Sequence, residues 1–324
     1  MKQIALLTTI GYERKGVLAR PGVLNKLAPY FYSPRWQSSV MLQEVGLEGE
    51  HIVIPMGFNN WHQLAPSTKE RFADRIELLC RRHEIDVLGV SRQLEPTKGD
   101  SFGWPKSLNS DNAPESSQAN NKNVPLLVPT LQRKGECFIT VMARLRVEIF
   151  LNRVEARRII VAGDGPDAMY LAYYLNDRIK LPVILQSREP GSHESAAAKL
   201  LYKEGIALPL AMFDPDKWNK NDIVVLFDEY YVYWGSLYGN GYKLDFGCRS
   251  SGHIPLVEQR LAEQGIDPAL HNLAPLLEAH LLADTDGNKR ELMNAIEQKG
   301  LELWKYLLDK EFCCHYNTLK DFDY

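Results

Sequence analysis

Gly163, Gly165 and Ala168 stand in the order Gly-x-Gly-x-x-Ala within the stretch 158–171. That spacing suits the binding of a pyrophosphate. The two glycines permit a tight turn and a close approach of ligand to backbone. Pro166 suits the first position of a helix, where its missing N–H would be unpaired in any case. Free amides and the helix dipole at such a start attract phosphate oxygens. Two residues oppose that attraction: Asp164 puts a negative charge inside the turn, and Pro166 removes one amide donor. Further on, Gln186, Ser187 and Arg188 close the apolar run 181–185. A hydroxyl and a guanidinium at that point suit the 2′-phosphate of NADP, whereas an acid there would suit the 2′-hydroxyl of NAD. Glu189 follows directly and could supply that acid.

Other residues could act on a substrate. Lys134, just before a helix, could give a proton to a carbonyl, with Asp245 as its acidic partner. The alternatives are a solvated loop lysine and a strand-end turn residue. Cys137 near a helix start would have a lowered pKa, or it is a buried packing residue. Cys248 and His253, five apart in a Gly/Ser loop, could pair as nucleophile and base or could adjoin by chance. Cys313, Cys314 and His315 carry soft ligand atoms, but adjacent side chains rarely face one ion and no CxxC pair stands elsewhere. No metal site is therefore expected.

These side chains need elements to position them. The β-branched run 159–161 predicts a strand covered on both faces. A helix is expected over 169–180, a second strand over 181–185, a helix over 194–204 stopped by Gly205, a third strand over 206–210 and a fourth over 222–227. Alternation at that spacing predicts βαβ units and a parallel sheet. The aromatic and glycine-rich stretch 230–242 follows the fourth strand, where open sheets of this kind place ligands. A last strand is expected over 243–247. Before the turn, strands are predicted at 4–9, 40–45, 51–56, 86–91 and 124–128, with a loop over 57–61. Helices are predicted after Pro21, over 67–83 with Ser67 and Glu70 as a capping box, and over 136–154. Helical patterns at 255–264, 272–283 and 288–310 close the chain.

The 324 residues suffice for two domains. Hydrophobic residues at 45% and charged residues at 24% are usual for a globular protein. A net charge of −3 gives no general attraction to nucleic acid or to an anionic membrane. No apolar run is long enough to span a bilayer, and the first residues read as a strand rather than a signal peptide. Five cysteines without scaffold spacing fit a reducing cytosol. Residues 109–123 hold almost no apolar side chains and are expected to be flexible.

We therefore expect an α/β fold: a Rossmann-type parallel-sheet domain plus a second, smaller α/β domain, with C-terminal helices packing back. The boundaries are 1–94 and 124–154 for the N-terminal, substrate-binding domain, 95–123 for a flexible loop, 155–255 for the nucleotide-binding domain and 256–324 for the C-terminal helices.

Three stretches carry a family likeness: 50–56 (EHIVIPM), 85–91 (IDVLGVS), and the Gly163 turn taken with Ser187 and Arg188. On these the chain resembles the shikimate-dehydrogenase-like superfamily, nearest the branch of long-chain acyl-carrier-protein reductases and predicted amino-acid dehydrogenases. The likeness runs loosely over residues 40–285. It departs from the family pattern at 129–136 (PTLQRKGE), where a Thr-Gly-Asn-Ser-like stretch is usual, and at 91–94 (SRQL). The resemblance implies an NAD(P)-dependent oxidoreductase acting on a carbonyl, acyl or imine carbon of a small or acyl-type substrate. Gly163, Asp164, Gly165, Pro166 and Ala168 would hold the pyrophosphate. Ser187 and Arg188 would hold the 2′-phosphate, so that NADP is preferred and NAD is the alternative. The nicotinamide would face a cleft between the domains near Lys134 and Tyr230. Nucleic acid and membrane are not expected as partners, and a homodimer is left open. Two other readings stand beside this one: a non-catalytic binding or scaffold protein of the same fold, and a methyltransferase with S-adenosylmethionine on the same turn.

Overall fold

The computed structural model describes residues 2–10, 13, 15–43, 46–94, 131–247, 255–283 and 294–298. The predicted strand 124–128, the polar segment 109–123, the Cys248–His253 loop, Cys313–His315 and most of the helix expected over 288–310 lie outside them. The chain divides into two compact units after Gly135, and residues 259–268 and 272–291 belong with the first. The second takes up the chain from Glu136, so the helix predicted over 136–154 counts with the second unit.

The first unit contains β1 (Ile4–Thr9), α1 (Pro21–Phe31), β2 (Arg35–Leu42), β3 (Leu47–Ile54), α2 (Phe58–His62), α3 (Pro66–Arg82), β4 (Val87–Val90) and β5 (Leu131–Arg133). Its strands lie in the order β2-β3-β1-β4-β5. All pairs are parallel except β2 with β3. Alternate residues of β1 and β3, Ala5 and Leu7 with Ile52 and Ile54, enter one core with Leu24, Trp61, Phe72 and Ile76. A run of buried apolar residues is what a strand covered on both faces requires.

Here the sequence reading needs three corrections. Gly49, left between the predicted strands 40–45 and 51–56, lies inside β3 opposite Val40. Its Cβ would come within 2.7 Å of Ile4 Cγ1, so close packing rather than a turn demands glycine. Helix α3 starts at Pro66 with Ala65 as N-cap, which puts Ser67 in the first turn and removes the expected capping box. Proline, with φ already helical, sets the start. Residues 58–61 of the expected loop 57–61 lie instead in the short helix α2.

The second unit contains α4 (Glu136–Leu151), β6 (Arg158–Ala162), α5 (Pro166–Arg178), β7 (Val183–Ser187), α6 (Glu194–Glu204), β8 (Leu210–Met212), β9 (Asp222–Leu226), α7 (Glu229–Tyr238) and β10 (Tyr242–Asp245). All strand pairs are parallel. Counted in chain order from β6, the observed sequence β8-β7-β6-β9-β10 reads 3-2-1-4-5. That is the order of a doubly wound, Rossmann-type sheet, whose direction of winding reverses at its first strand. The fold is thus α/β in both units, with a Rossmann-type parallel sheet in the second.

Gly205 ends α6 in the left-handed conformation at φ 70°, as its place in the sequence predicts. The third strand is shifted from the expected 206–210 to Leu210–Met212, where it pairs with Leu185, Gln186 and Ser187. Pro209 accepts from the Leu185 amide at 3.0 Å but has no N–H to give, so the ladder starts there. Of the aromatic stretch 230–242, to which no element was assigned, residues 230–238 lie in helix α7. Finally come α8 (Pro255–Glu263) and α9 (Leu270–Ala283), and the described residues end with a helical turn over 294–298. In the first unit, α9 lies so close to β4 that a Cβ on Gly89 would meet the Pro275 carbonyl oxygen at 2.8 Å.

Candidate functional site

Strand β6 ends at Ala162 and α5 begins at Pro166, so Gly163, Asp164 and Gly165 form the whole connection. The turn sits at the carboxyl end of the strand where the sheet order reverses, the place where open α/β sheets form a ligand crevice. Gly163 is required by packing. A Cβ there would lie 2.7 Å from Ala168 Cβ and 2.9 Å from Phe227 Cβ. Ala168 is itself fully buried, so the small third position of the motif lets α5 lie close on the sheet. Gly165 is the N-cap of α5 in an extended conformation, at φ −82°. A Cβ on it would stand 2.5 Å from Asp167 Oδ1. Asp167 is 3% exposed, and its Oδ1 accepts from the Ala168 amide at 3.2 Å. A carboxylate in the first turn suits the positive end of the helix dipole.

Asp164 does not point its charge at solvent. Its Oδ1 accepts from Ser187 Oγ at 2.6 Å, from Tyr231 Oη at 2.5 Å and from the Arg188 amide at 3.2 Å. Its Oδ2 accepts from Arg188 Nε at 2.8 Å and Nη2 at 2.6 Å. The Asp164 side chain is 6% exposed, the Arg188 side chain 39%. The Gly163 amide donates to the Gln186 carbonyl at 3.1 Å, which holds the ends of β6 and β7 side by side and brings the two segments into register. The guanidinium also lies over the Tyr230 ring, 4.5 Å from its centroid.

The charges respond to this arrangement. Burial alone would lower the Arg188 pKa, but the hydrogen bond and charge of Asp164 raise it above its ordinary value. Burial, then the bond to Asp164, pushes the Tyr231 phenol well above its usual range. Arg188 and Asp164 are thus held as an ion pair, with Tyr231 neutral beside them.

The sequence-predicted residues fall in several places. Gly163, Asp164, Gly165, Pro166, Ala168, Ser187 and Arg188 all lie at the β6–α5 and β7 ends. Ser187 and Arg188 stand where a 2′-phosphate was expected, but the Ser187 hydroxyl, the Arg188 amide and two guanidinium nitrogens already donate to Asp164. Lys134 belongs to the first unit, half-buried between β5 and α4. Asp245 belongs to the second and ends β10, where its Oδ1 accepts from the Gly247 amide at 2.7 Å in a local turn. Cys137 is buried on α4. Among the described residues no group of three or more His, Cys, Asp or Glu could hold a metal ion. Also among them, no helix is long and apolar enough to cross a membrane.

Two members of the site were not identified from the sequence. Tyr231 was read only as part of an aromatic stretch. Spacing along α7 could have found it: Tyr230, Tyr233, Trp234, Leu237 and Tyr238 are exposed on one side while Tyr231 is fully buried. Asp228, two residues past the end of β9, has φ 71° and ψ 147°, a conformation that residues with a Cβ rarely adopt. Strain of this kind at the carboxyl end of β9 sits beside the glycine turn, since β9 pairs with β6.

No family model matches the chain, and no curated protein matches it. Among solved structures it is similar to L-tryptophan dehydrogenase from Nostoc punctiforme, at 9% identity and a TM-score of 0.45, over 95% of this chain and 81% of that one. It is also similar to the hetero-hexameric glutamate dehydrogenase from Thermus thermophilus, at 14% identity and a TM-score of 0.42, over 93% of this chain and 74% of that one. A third is shikimate 5-dehydrogenase from Thermus thermophilus in complex with NADP(H) and shikimate, at 14% identity and a TM-score of 0.36, over 92% and 99%. These are amino-acid and shikimate dehydrogenases, the group the sequence resembles.

Proposed function

We propose that the chain is an oxidoreductase that uses a nicotinamide dinucleotide and acts on a carbonyl, acyl or imine carbon of a small or acyl-type substrate. The observation that carries this reading is the Gly163–Gly165 turn at the reversal point of a 3-2-1-4-5 parallel sheet, with Gly163 pressed to 2.7 Å from Ala168 where a Cβ would sit. The same cradle, closed to any side chain and opening on the start of α5, fits a pyrophosphate. Gly163, Gly165 and the first turn of α5 would hold it, and Ser187, Arg188 and Tyr230 would border the adenosine half. The dinucleotide supplies or accepts hydride when bound. Lys134 would give the proton to the substrate oxygen or nitrogen, and Asp245 is the second candidate for acid–base work. The buried thiols of Cys80 and Cys137 suit a reducing cytosol.

A second reading has its own support. Asp164 and Asp167 bring two carboxylates to the turn that would receive pyrophosphate, and both are largely buried there. A scaffold that has lost its nucleotide would tolerate that. Thermal-shift and fluorescence titration with NADH, NADPH and S-adenosylmethionine separates the readings, because a ligand of the native state raises the melting temperature. Binding of either nicotinamide cofactor supports the oxidoreductase. Binding of S-adenosylmethionine alone indicates a methyltransferase, and binding of none supports the scaffold.

A further inference from the structure

A 2′-phosphate at the end of the second strand of such a sheet needs a hydroxyl or amide donor and a planar cation. This chain provides all of them, and every one faces Asp164. The Ser187 hydroxyl and the Arg188 amide donate to Oδ1, while Nε and Nη2 of Arg188 take Oδ2 as a fork. With Tyr231 added, five donors meet a carboxylate that has about four lone-pair positions. We infer that Asp164 stands in the place of the 2′-phosphate and thereby selects the dinucleotide with a free 2′-hydroxyl, NAD(H). This rests on the dinucleotide reading of the site given above.

The charges decide the direction. Asp164 and Arg188 together are neutral, so no net cation is left at the end of β7 to receive a phosphate. A phosphate entering here would meet a carboxylate inside hydrogen-bonding distance of the same donors. To take the guanidinium it would have to leave Asp164, whose side chain is 6% exposed, without its cation. Stripping a buried charge of its partner is strongly unfavourable. Arg188 is also held on its other side, against Tyr230 at 4.5 Å and Tyr231 at 5.8 Å, which hinders a swing towards a second anion. A 2′-hydroxyl asks for no cation and meets no repulsion. The acid that NAD-binding sheets usually carry after the second strand is thus brought in from the first turn instead.

The test is calorimetric titration of the full-length protein and of its Asp164→Asn variant with NADH and NADPH. The variant keeps the size of the side chain and removes the charge. The wild type is expected to bind NADH more tightly, by about tenfold or more, and the variant to shift the ratio of the two affinities towards NADPH by about tenfold or more. A wild type that binds NADPH as tightly as NADH, or a variant with an unchanged ratio, overturns the selection by Asp164 and leaves the dinucleotide reading standing. Absence of both cofactors from both proteins overturns the dinucleotide reading, and the inference with it. Should the variant fail to fold, the wild type alone is titrated with adenosine 5′-monophosphate and adenosine 2′,5′-bisphosphate. Tighter binding of the monophosphate supports the inference, and tighter binding of the bisphosphate overturns it.

Discussion

Arg188 grips Asp164 with two guanidinium nitrogens, Nε at 2.8 Å and Nη2 at 2.6 Å, and so ties the end of β7 to the turn after β6. The two residues are 24 apart in the chain. A forked pair of this kind is directional as well as strong. It fixes how the two side chains face each other at the candidate site.

Removing one partner exposes the value of the pair. Arg188→Ala should destabilise the protein by about 1–2 kcal/mol, less than a fully buried pair because water screens the half-exposed guanidinium. Asp164→Asn combined with Arg188→Ala should cost less than the two single changes together, since no charge is then left alone. Urea denaturation of the four proteins in a double-mutant cycle measures the coupling. Strict additivity would mean that the pair is incidental to stability.

Tyr231→Phe tests the hydroxyl without disturbing the ring, which is fully buried against Phe213 and Trp218. The hydroxyl donates to Asp164 and accepts from the Arg188 amide at 3.0 Å. Its loss should cost about 1.5–3 kcal/mol, the size of a bond to a charged group. The same denaturation assay reads it, and a change near zero would mean that water replaces the hydroxyl freely.

Gly163→Ala should destabilise by about 1–3 kcal/mol through overpacking, because the added methyl has Ala168 and Phe227 within van der Waals distance. Gly191→Ala serves as the control: its Cβ would meet nothing nearer than Glu194 Oε1 at 4.0 Å. That change should stay within about 0.5 kcal/mol of wild type. Equal effects of the two substitutions would remove the packing argument for the first glycine.

His51 should give the first unit an acid limb. It is 1% exposed on β3, and its Nε2 shares a 2.8 Å hydrogen bond with Thr8 Oγ1. Burial lowers its pKa from 6.5 to about 4. Between those values the unfolded chain binds a proton that the folded chain refuses. The associated stability is therefore complete above about pH 6.5 and is lost as the pH falls towards 4, by about 3 kcal/mol at most. His51→Gln keeps a hydrogen-bonding group but does not titrate, so its stability should depend less on pH across that window. Parallel pH curves for the two proteins would show that His51 is not the source.

The sequence by itself determined the elements that repeat along the chain. The apolar run 159–161, the glycines after it and the alternation of strands with helices sufficed for a parallel sheet with a nucleotide-type turn, because local periodicity and turn chemistry act within a few residues. Gly205 stopped a helix for the same local reason. The sequence also showed the oddity of an acid within the turn, at Asp164. What that acid does was decided by the tertiary structure alone. Tyr231 lies 67 residues from Asp164 and reaches it only because β9 pairs with β6 and α7 follows β9. Ser187 and Arg188 reach it only because β7 lies on the other side of β6. Spacing in the chain predicts residue types along one element, whereas the pairing of a donor with a buried charge depends on which strands become neighbours. Reading Arg188 from its own segment therefore yields a free cation, and folding turns it into half of an ion pair.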